Sequence, residues 1–373
     1  MKKIFLSAFI ACFSAVTFAQ DYQFKTTIDL EATPVISQGR TGTCWSFSTS
    51  SFIESEIIRL TGKQIDISEM YNVRNTYSKK AWNYVMRQGK AQFSEGGLAH
   101  DVMNAIKSNG LMPNSTYSGL QTLQETHNHA EMVAVLKAML DAYIKNPGKK
   151  LSPNWKRTTE SVLDIYLGER PKSFLYEGKS YTPQSFLEMT KINPDDYVTI
   201  TSFTHQPYYK SFILNIPDNF SNGSFYNVPL DELVEITENA LKTGFTVELD
   251  CDVSEATFSA KYAVAIIPET PVKDRKDFSG KILKENASNA RQRQRDFENY
   301  TTTDDHLMHI TGMATDQNGA KYFRVKNSWG SNTERIPNDG HVHMSEMYFR
   351  MKTISVMVHK DALPKALRQK LGL

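Results

Sequence analysis

The apolar residues of this chain change period partway along it, and that change restricts the fold more than any other feature. From Cys44 to Leu60 the positions Trp45, Phe47, Phe52, Ile53, Ile57 and Leu60 recur at three- and four-residue spacings, and Gly62 follows as a stop. EGGLAHDVMNAIKSNGLMP repeats the design, with a helix through Ile106, a stop at Gly110 and Pro113 beyond. Leu120 to about Tyr166 also reads as helical, around a break at Asn146-Pro147-Gly148. After about Asp196 the runs YVTITSF, KSFILNI, FTVELD, YAVAII, MHITGMATD, KYFRVKNSW and HVHMS are short, β-branched and aromatic. One amphipathic helix, Leu230 to Lys242, interrupts them. Helices followed by strands predict an α+β architecture of two lobes with a cleft between them: about residues 20–195 mainly helical and about 196–373 mainly β.

Charge says little about partners. The chain has 373 residues, 40% of them apolar, and a formal net charge of +2, so no long-range field draws it toward nucleic acid or anionic lipid. The segment KDRKDFSGKILKENASNARQRQR mixes both signs without interleaved aromatics, which reads as a solvated connector rather than a nucleic-acid surface. The first 19 residues, two lysines and then an apolar stretch to Phe18, read as a secretory leader cleaved after Ala19. Cys12 lies in the middle of that apolar stretch, which fits a leader better than a lipidation site. The expectation is an exported protein, periplasmic or extracellular, with no membrane span once the leader is removed.

Beyond the leader only Cys44 and Cys251 remain, too few for a disulfide framework. Cys251 alternates with Leu249 and Val253 and should point into a core. Cys44 instead opens a helix after the turn Thr41-Gly42-Thr43, where the macrodipole and unpaired N–H groups favour a thiolate. A thiol nucleophile also needs a histidine that takes its proton and a third group that orients the ring.

Among nine histidines, His127, His129, His205 and His359 read as surface residues, and His100 as lying near an exposed helix face. His341 and His343 share a strand face and suggest a metal pair, but no third ligand is evident. His306 and His309 in DDHLMHITGM point to opposite faces of one strand, and His306 stands at the start, where it can reach a cleft. Asn327 offers a side-chain carbonyl, with Trp329 nearby to shield that hydrogen bond from water. Gln38, across a Gly-rich turn from Cys44, can donate to an oxyanion together with the Cys44 backbone N–H.

These residues resemble the papain superfamily of cysteine peptidases, whose Cys-His-Asn set and oxyanion glutamine correspond to Cys44, His306, Asn327 and Gln38. SEGGLAHDVMNAIKSNGLMP, NPDDYVTI, FYNVPLDEL, GFTVELDCDV, DDHLMHITG and YFRVKNSWG are similar, in order, to blocks of the bleomycin hydrolase and aminopeptidase C branch. The resemblance implies a papain-like fold with inserted helices, a cleft walled by Trp45, Gly96, Gly97 and Trp329, peptide substrates, no cofactor or metal, and a hexameric ring. Three departures stand out. The papain signature C-G-[SA]-C-[WY] reads here as Thr41-Gly42-Thr43-Cys44-Trp45, so its upstream cysteine is absent, the leader contrasts with a mostly intracellular family, and HKDALPKALRQKLGL ends before most of the family's C-terminal arm. The last leaves an endopeptidase open beside an aminopeptidase, and leaves the hexamer open as well. A catalytically silent peptide-binding protein is the alternative from another class.

Overall fold

The computed structural model describes residues 20–121, 124–145, 148, 150–287, 289–331 and 333–373; the expected leader lies outside them, as does most of the Asn146-Pro147-Gly148 break. After strand β1 (Lys25–Asp29) come five helices: α1 (Cys44–Thr61), α2 (Glu69–Met86), α3 (Ala99–Asn109), α4 (Ala130–Ile144) and α5 (Asn154–Leu167). A small hairpin, β2 (Phe174–Tyr176) and β3 (Lys179–Tyr181), and α6 (Pro183–Thr190) complete the helical part. Strands β4 (Tyr197–Thr201), β5 (Ser211–Ile213) and β6 (Ser224–Asn227) lead to α7 (Leu230–Lys242), β7 (Val247–Cys251), β8 (Phe258–Ser259) and β9 (Val264–Ala265). The chain finishes with α8 (Ala290–Glu298), β10 (His306–Thr315), β11 (Lys321–Lys326), β12 (His341–Ser345), α9 (Glu346–Lys352), β13 (Thr353–His359) and α10 (Lys365–Leu371).

Among the described residues one sheet runs in the order β5-β6-β4-β13-β7-β10-β11-β12-β9-β8, with β1 joined to β10. Its pairing is mostly antiparallel, so alternate residues face opposite sides. Leu249 and Cys251 of β7 and Met308 and Ile310 of β10 point into the β-lobe core. Glu248, in contrast, faces α1. The Ser48 hydroxyl donates to Met308 O at 2.8 Å and lies 3.0 Å from Glu248 Oε1, and burial pushes that carboxyl up to about 8. The hydroxyl has one proton, so the neutral Glu248 carboxyl donates to it. Helix α1 is thereby pinned across β7 and β10, and its first turn is fixed at the seam between the lobes.

Three sequence expectations are corrected. Helix α4 begins at Ala130 rather than near Leu120, because the preceding backbone closes over the Gln38–Arg40 turn. There Arg40 N–H donates to His127 O at 2.8 Å, and Gly39, at φ +69°, lies where a Cβ would sit 2.6 Å from the same oxygen. The charged connector is not wholly solvated. Its end forms α8, whose Arg293 is buried with Nε donating to Ser202 O and Nη1 to Arg350 O, over the Phe203 ring. Nor are His129 and His359 surface residues: both are buried, His129 near the Tyr77 hydroxyl and His359 between the Tyr197 and Phe245 rings.

Candidate active site

Cys44 opens α1 with the sulfur buried at the seam, and Thr43 before it makes no side-chain cap. The turn is held from outside: Gly42 N–H donates to Glu95 Oε2 at 2.6 Å, and the Trp45 indole N–H to Glu95 O at 2.9 Å. Gly97 lies flat on that indole, a Cβ there falling 3.1 Å from the ring. Gly96 is roofed by Asp218, and its carbonyl accepts from the buried Lys80 ammonium. The glycine pair therefore forms one wall beside Cys44.

Opposite, on β10, His306 shares the face of Met308, while His309 turns to α1 and meets Ser51 Oγ at 2.9 Å. His306 Nε2 lies 2.8 Å from Asn327 Oδ1, and the same oxygen accepts from Ser328 N–H at 2.7 Å. Since a backbone N–H must donate, that atom is the carbonyl oxygen, and His306 Nε2 carries the proton it shares with Asn327. Nδ1 is left as the basic nitrogen. Trp329 covers the ring, its centroid 4.9 Å from that of His306.

Gln38 belongs to a loop paired with the Asn327 segment. Its N–H donates to Ser328 O at 2.9 Å, its Oε1 accepts from Ser328 Oγ at 2.5 Å, and its Nε2 donates to Thr41 O at 2.6 Å. Residues Ser37 and Trp329 bridge as β partners. One strand-like contact thus sets the glutamine, the asparagine and the tryptophan together. Sequence reasoning missed Ser328 and Glu95; Ser328 lies inside the KNSWG run and could have been singled out there.

The expected thiolate–imidazolium pair is corrected. No hydrogen bond joins Cys44 Sγ to His306; the sulfur lies instead beside the Leu307 backbone, one residue on. Burial pushes the thiol up to about 12, aided by the negative charges of Asp304, Asp218 and Asp250, and burial also lowers His306. Desolvation disfavours the charged form of both groups and so works against the helix terminus. Such contacts commonly tighten only around substrate.

His341 and His343 share a face of β12, but that face also carries Arg324 and Lys326 on the paired strand, and Phe24 stacks on His343 at 3.8 Å. Among the described residues Glu54, Asp66 and Glu69 bring three carboxylate oxygens within 4.8 Å, in a cavity of about 340 Å³ also lined by His309 and Lys326. The Lys326 ammonium already supplies a positive charge there.

The sequence model of the Peptidase C1-like family matches residues 8–372. Aminopeptidase G of Lactobacillus delbrueckii subsp. lactis is 24% identical, covering 92% of this chain and 85% of its own. Aminopeptidase C of Listeria innocua is 24% identical, covering 89% and 81%, and the mitochondrial cysteine proteinase 1 of Saccharomyces cerevisiae 23%, covering 93% and 79%. In structure the chain is similar to PepW from Lactobacillus rhamnosis, with a TM-score of 0.73 at 19% identity over 93% of this chain and 84% of that one. The α+β architecture is therefore that of the papain-like peptidases, and the chain belongs to the Peptidase C1-like family, in the bleomycin hydrolase and aminopeptidase C branch of the cysteine peptidases.

Proposed function

We propose that the protein is an exported thiol aminopeptidase in which Cys44, His306, Asn327 and Gln38 carry the chemistry. The observation that bears most weight is the buried His306–Asn327 hydrogen bond under Trp329, which fixes the proton on Nε2 and leaves Nδ1 to serve as base. As substrate enters, the Cys44 proton passes to His306 and the sulfur bonds to the scissile carbonyl carbon. The oxyanion is met by the Cys44 N–H and the second Gln38 amide hydrogen, the first being held by Thr41. Collapse breaks the C–N bond as His306 returns the proton to the leaving amine, and water then hydrolyses the thioester. Action from a free N-terminus is supported by the names of the aminopeptidase relatives, and export by the leader-like residues 1–19. Among the described residues no helix is long and apolar enough to cross a membrane.

The test is direct. The Cys44→Ala chain should lose turnover of aminoacyl fluorogenic substrates, and iodoacetamide or a peptidyl epoxide should label Cys44 of the parent chain selectively over buried Cys251. Turnover retained in Cys44→Ala overturns the reading, and unselective labelling favours a silent binding cleft.

A further inference from the structure

Three carboxylates outside the Cys-His-Asn set converge on the wall formed by Gly96 and Gly97. Asp218 sits in the loop between β5 and β6, where Asn219 braces the chain by donating to Leu214 O and Gly223 O and accepting from Gly223 N–H. Its Oδ2 lies 1.9 Å from where a Gly96 Cβ would be, so only glycine lets the carboxylate rest on this wall. Asp304 stands two residues before His306 and takes a backbone hydrogen bond from Asp218. Asp250 lies beside Asp304. In β7 it pairs with Leu307 and alternates with Leu249 and Cys251, so it faces α1 rather than the β core.

Asp250 is the observation that points to a ligand. It is 1% exposed, neither carboxylate oxygen has a hydrogen-bond donor outside the acid cluster, and the Asp304 carboxyl lies beside it. Among the described residues no cation makes an ion pair with Asp250: Lys80 donates to Gly96 O, and Arg293 donates through Nε and Nη1 to Ser202 O and Arg350 O while its Nη2 is without a hydrogen-bond partner. A buried carboxylate without a donor of its own, in a group of three acids beside a reactive sulfur, calls for a cation that arrives from outside.

We propose that Asp218, Asp250 and Asp304 form an ammonium-binding subsite at the Gly96–Gly97 end of the cleft, which takes the positive charge of a peptide substrate. The inference rests on the peptidase reading above and names the recognition element of that site. The charge is either the substrate's α-ammonium or a lysine side chain, since both present the same group. Burial raises all three acids, Asp304 to about 7, and an ammonium placed among them favours their ionised forms. The same three charges push up the Cys44 thiol, and an ammonium among them cancels part of that field.

Binding is measured by calorimetry on the full Cys44→Ala chain, so the result does not depend on turnover. The probes are leucyl-alanine amide, its N-acetylated form, and N-acetyl-lysyl-leucyl-alanine amide. At neutral pH at least one cationic probe should bind about tenfold or more tightly than the acetylated neutral one, the scale of a charge-assisted hydrogen bond. Which probe gains tells α-ammonium from side chain. The preference should collapse in Asp218→Asn and in Asp304→Asn, two variants chosen so that one misfolded chain leaves the other to decide. Equal binding of all three probes, or a preference undiminished in the folded variants, overturns the subsite. Turnover and Cys44 labelling of the parent chain report on the peptidase reading separately.

Discussion

Asn327→Ala is the most informative single change, because one oxygen serves two buried donors. Asn327 Oδ1 accepts from His306 Nε2 and from Ser328 N–H, and both residues are buried. An unsatisfied buried donor costs about 1–3 kcal/mol, so the variant should lose roughly 2–6 kcal/mol of stability if no water enters. The rate effect has a different origin. Once His306 takes the thiol proton its Nε2–H donates as an imidazolium, and a charge-assisted bond of about 1.5–3 kcal/mol corresponds to a roughly 10- to 150-fold lower kcat. Because the ring orientation matters to the transition state rather than to substrate docking, KM should move by less than about threefold. Asn327→Asp keeps the acceptor and adds a charge that favours imidazolium. It should restore much of the rate while moving the acid limb of the kcat/KM profile to higher pH. Steady-state kinetics on an aminoacyl fluorophore from pH 5 to 9, with thermal melts of both variants, read all of this. An Asn327→Ala chain with kcat within about twofold of the parent, or an Asn327→Asp chain whose acid limb stays in place, refutes the positioning argument.

Gln38→Ala should lower kcat on the order of a hundredfold with the fold intact, the scale for one oxyanion donor. Ser328→Ala should give a smaller loss in the same assay, because it releases the Gln38 carbonyl but leaves the bond to Thr41. Stability should fall as pH rises from 6.5 to 8. Glu54, Glu285 and Asp304 are raised to about 7 and Glu248 to about 8, so from the ordinary carboxyl range up to these values the native state holds more protons than the unfolded chain, and melting temperature falls as pH rises through 7 and 8. Below pH 6.5 the histidines act in the opposite sense. His129 and His341 are lowered to about 3 and His343 to about 4, so the unfolded chain takes up protons that these buried rings refuse, which offsets most of the carboxyl contribution there and flattens the profile. A melting temperature rising steadily from pH 6.5 to 8.5 contradicts the carboxylate assignment.

What the sequence revealed and what it hid divide along the line between local pattern and tertiary placement. Helix α1 and its Gly62 stop were legible because apolar spacing and a left-handed C-cap are local signals. Helix α2 was not, because its buried face carries Asn72, Arg74, Asn75, Thr76 and Lys80. Arg74, fully enclosed, pairs with Glu160 and Asp164 of α5, a partnership that no spacing rule in residues 69–86 reports. Strand β13 was missed for another reason. It follows α9 at Thr353 with no intervening turn, and its position between β4 and β7 buries both faces, so Ser355 and Met357 between Ile354, Val356 and Val358 mark no exposed side. The Cys44, His306 and Asn327 readings each rested on a few neighbouring residues, whereas the carboxylates come from a loop, a strand and a strand entry far apart in the chain.

That distinction explains why the charge state of Cys44 was misjudged. A helix terminus contributes only a partial charge, and here Gly42 N–H at that terminus is already taken by the Glu95 carboxylate. Against it stand complete burial and three acids whose proximity is purely tertiary. The sulfur therefore sits in a field that opposes its ionisation, and burial likewise disfavours the charged form of His306. A positive charge lodged between Gly96 and Asp304 weakens that field at the sulfur in the encounter that presents the carbonyl, so recognition and activation become one electrostatic event. It follows that alkylation of Cys44 by iodoacetamide should steepen with pH well above neutrality in the parent chain, and that Asp304→Asn, which deletes part of the opposing charge, should accelerate it at any fixed pH. Slower or unchanged alkylation in the folded Asp304→Asn chain breaks the link between the carboxylates and the thiol.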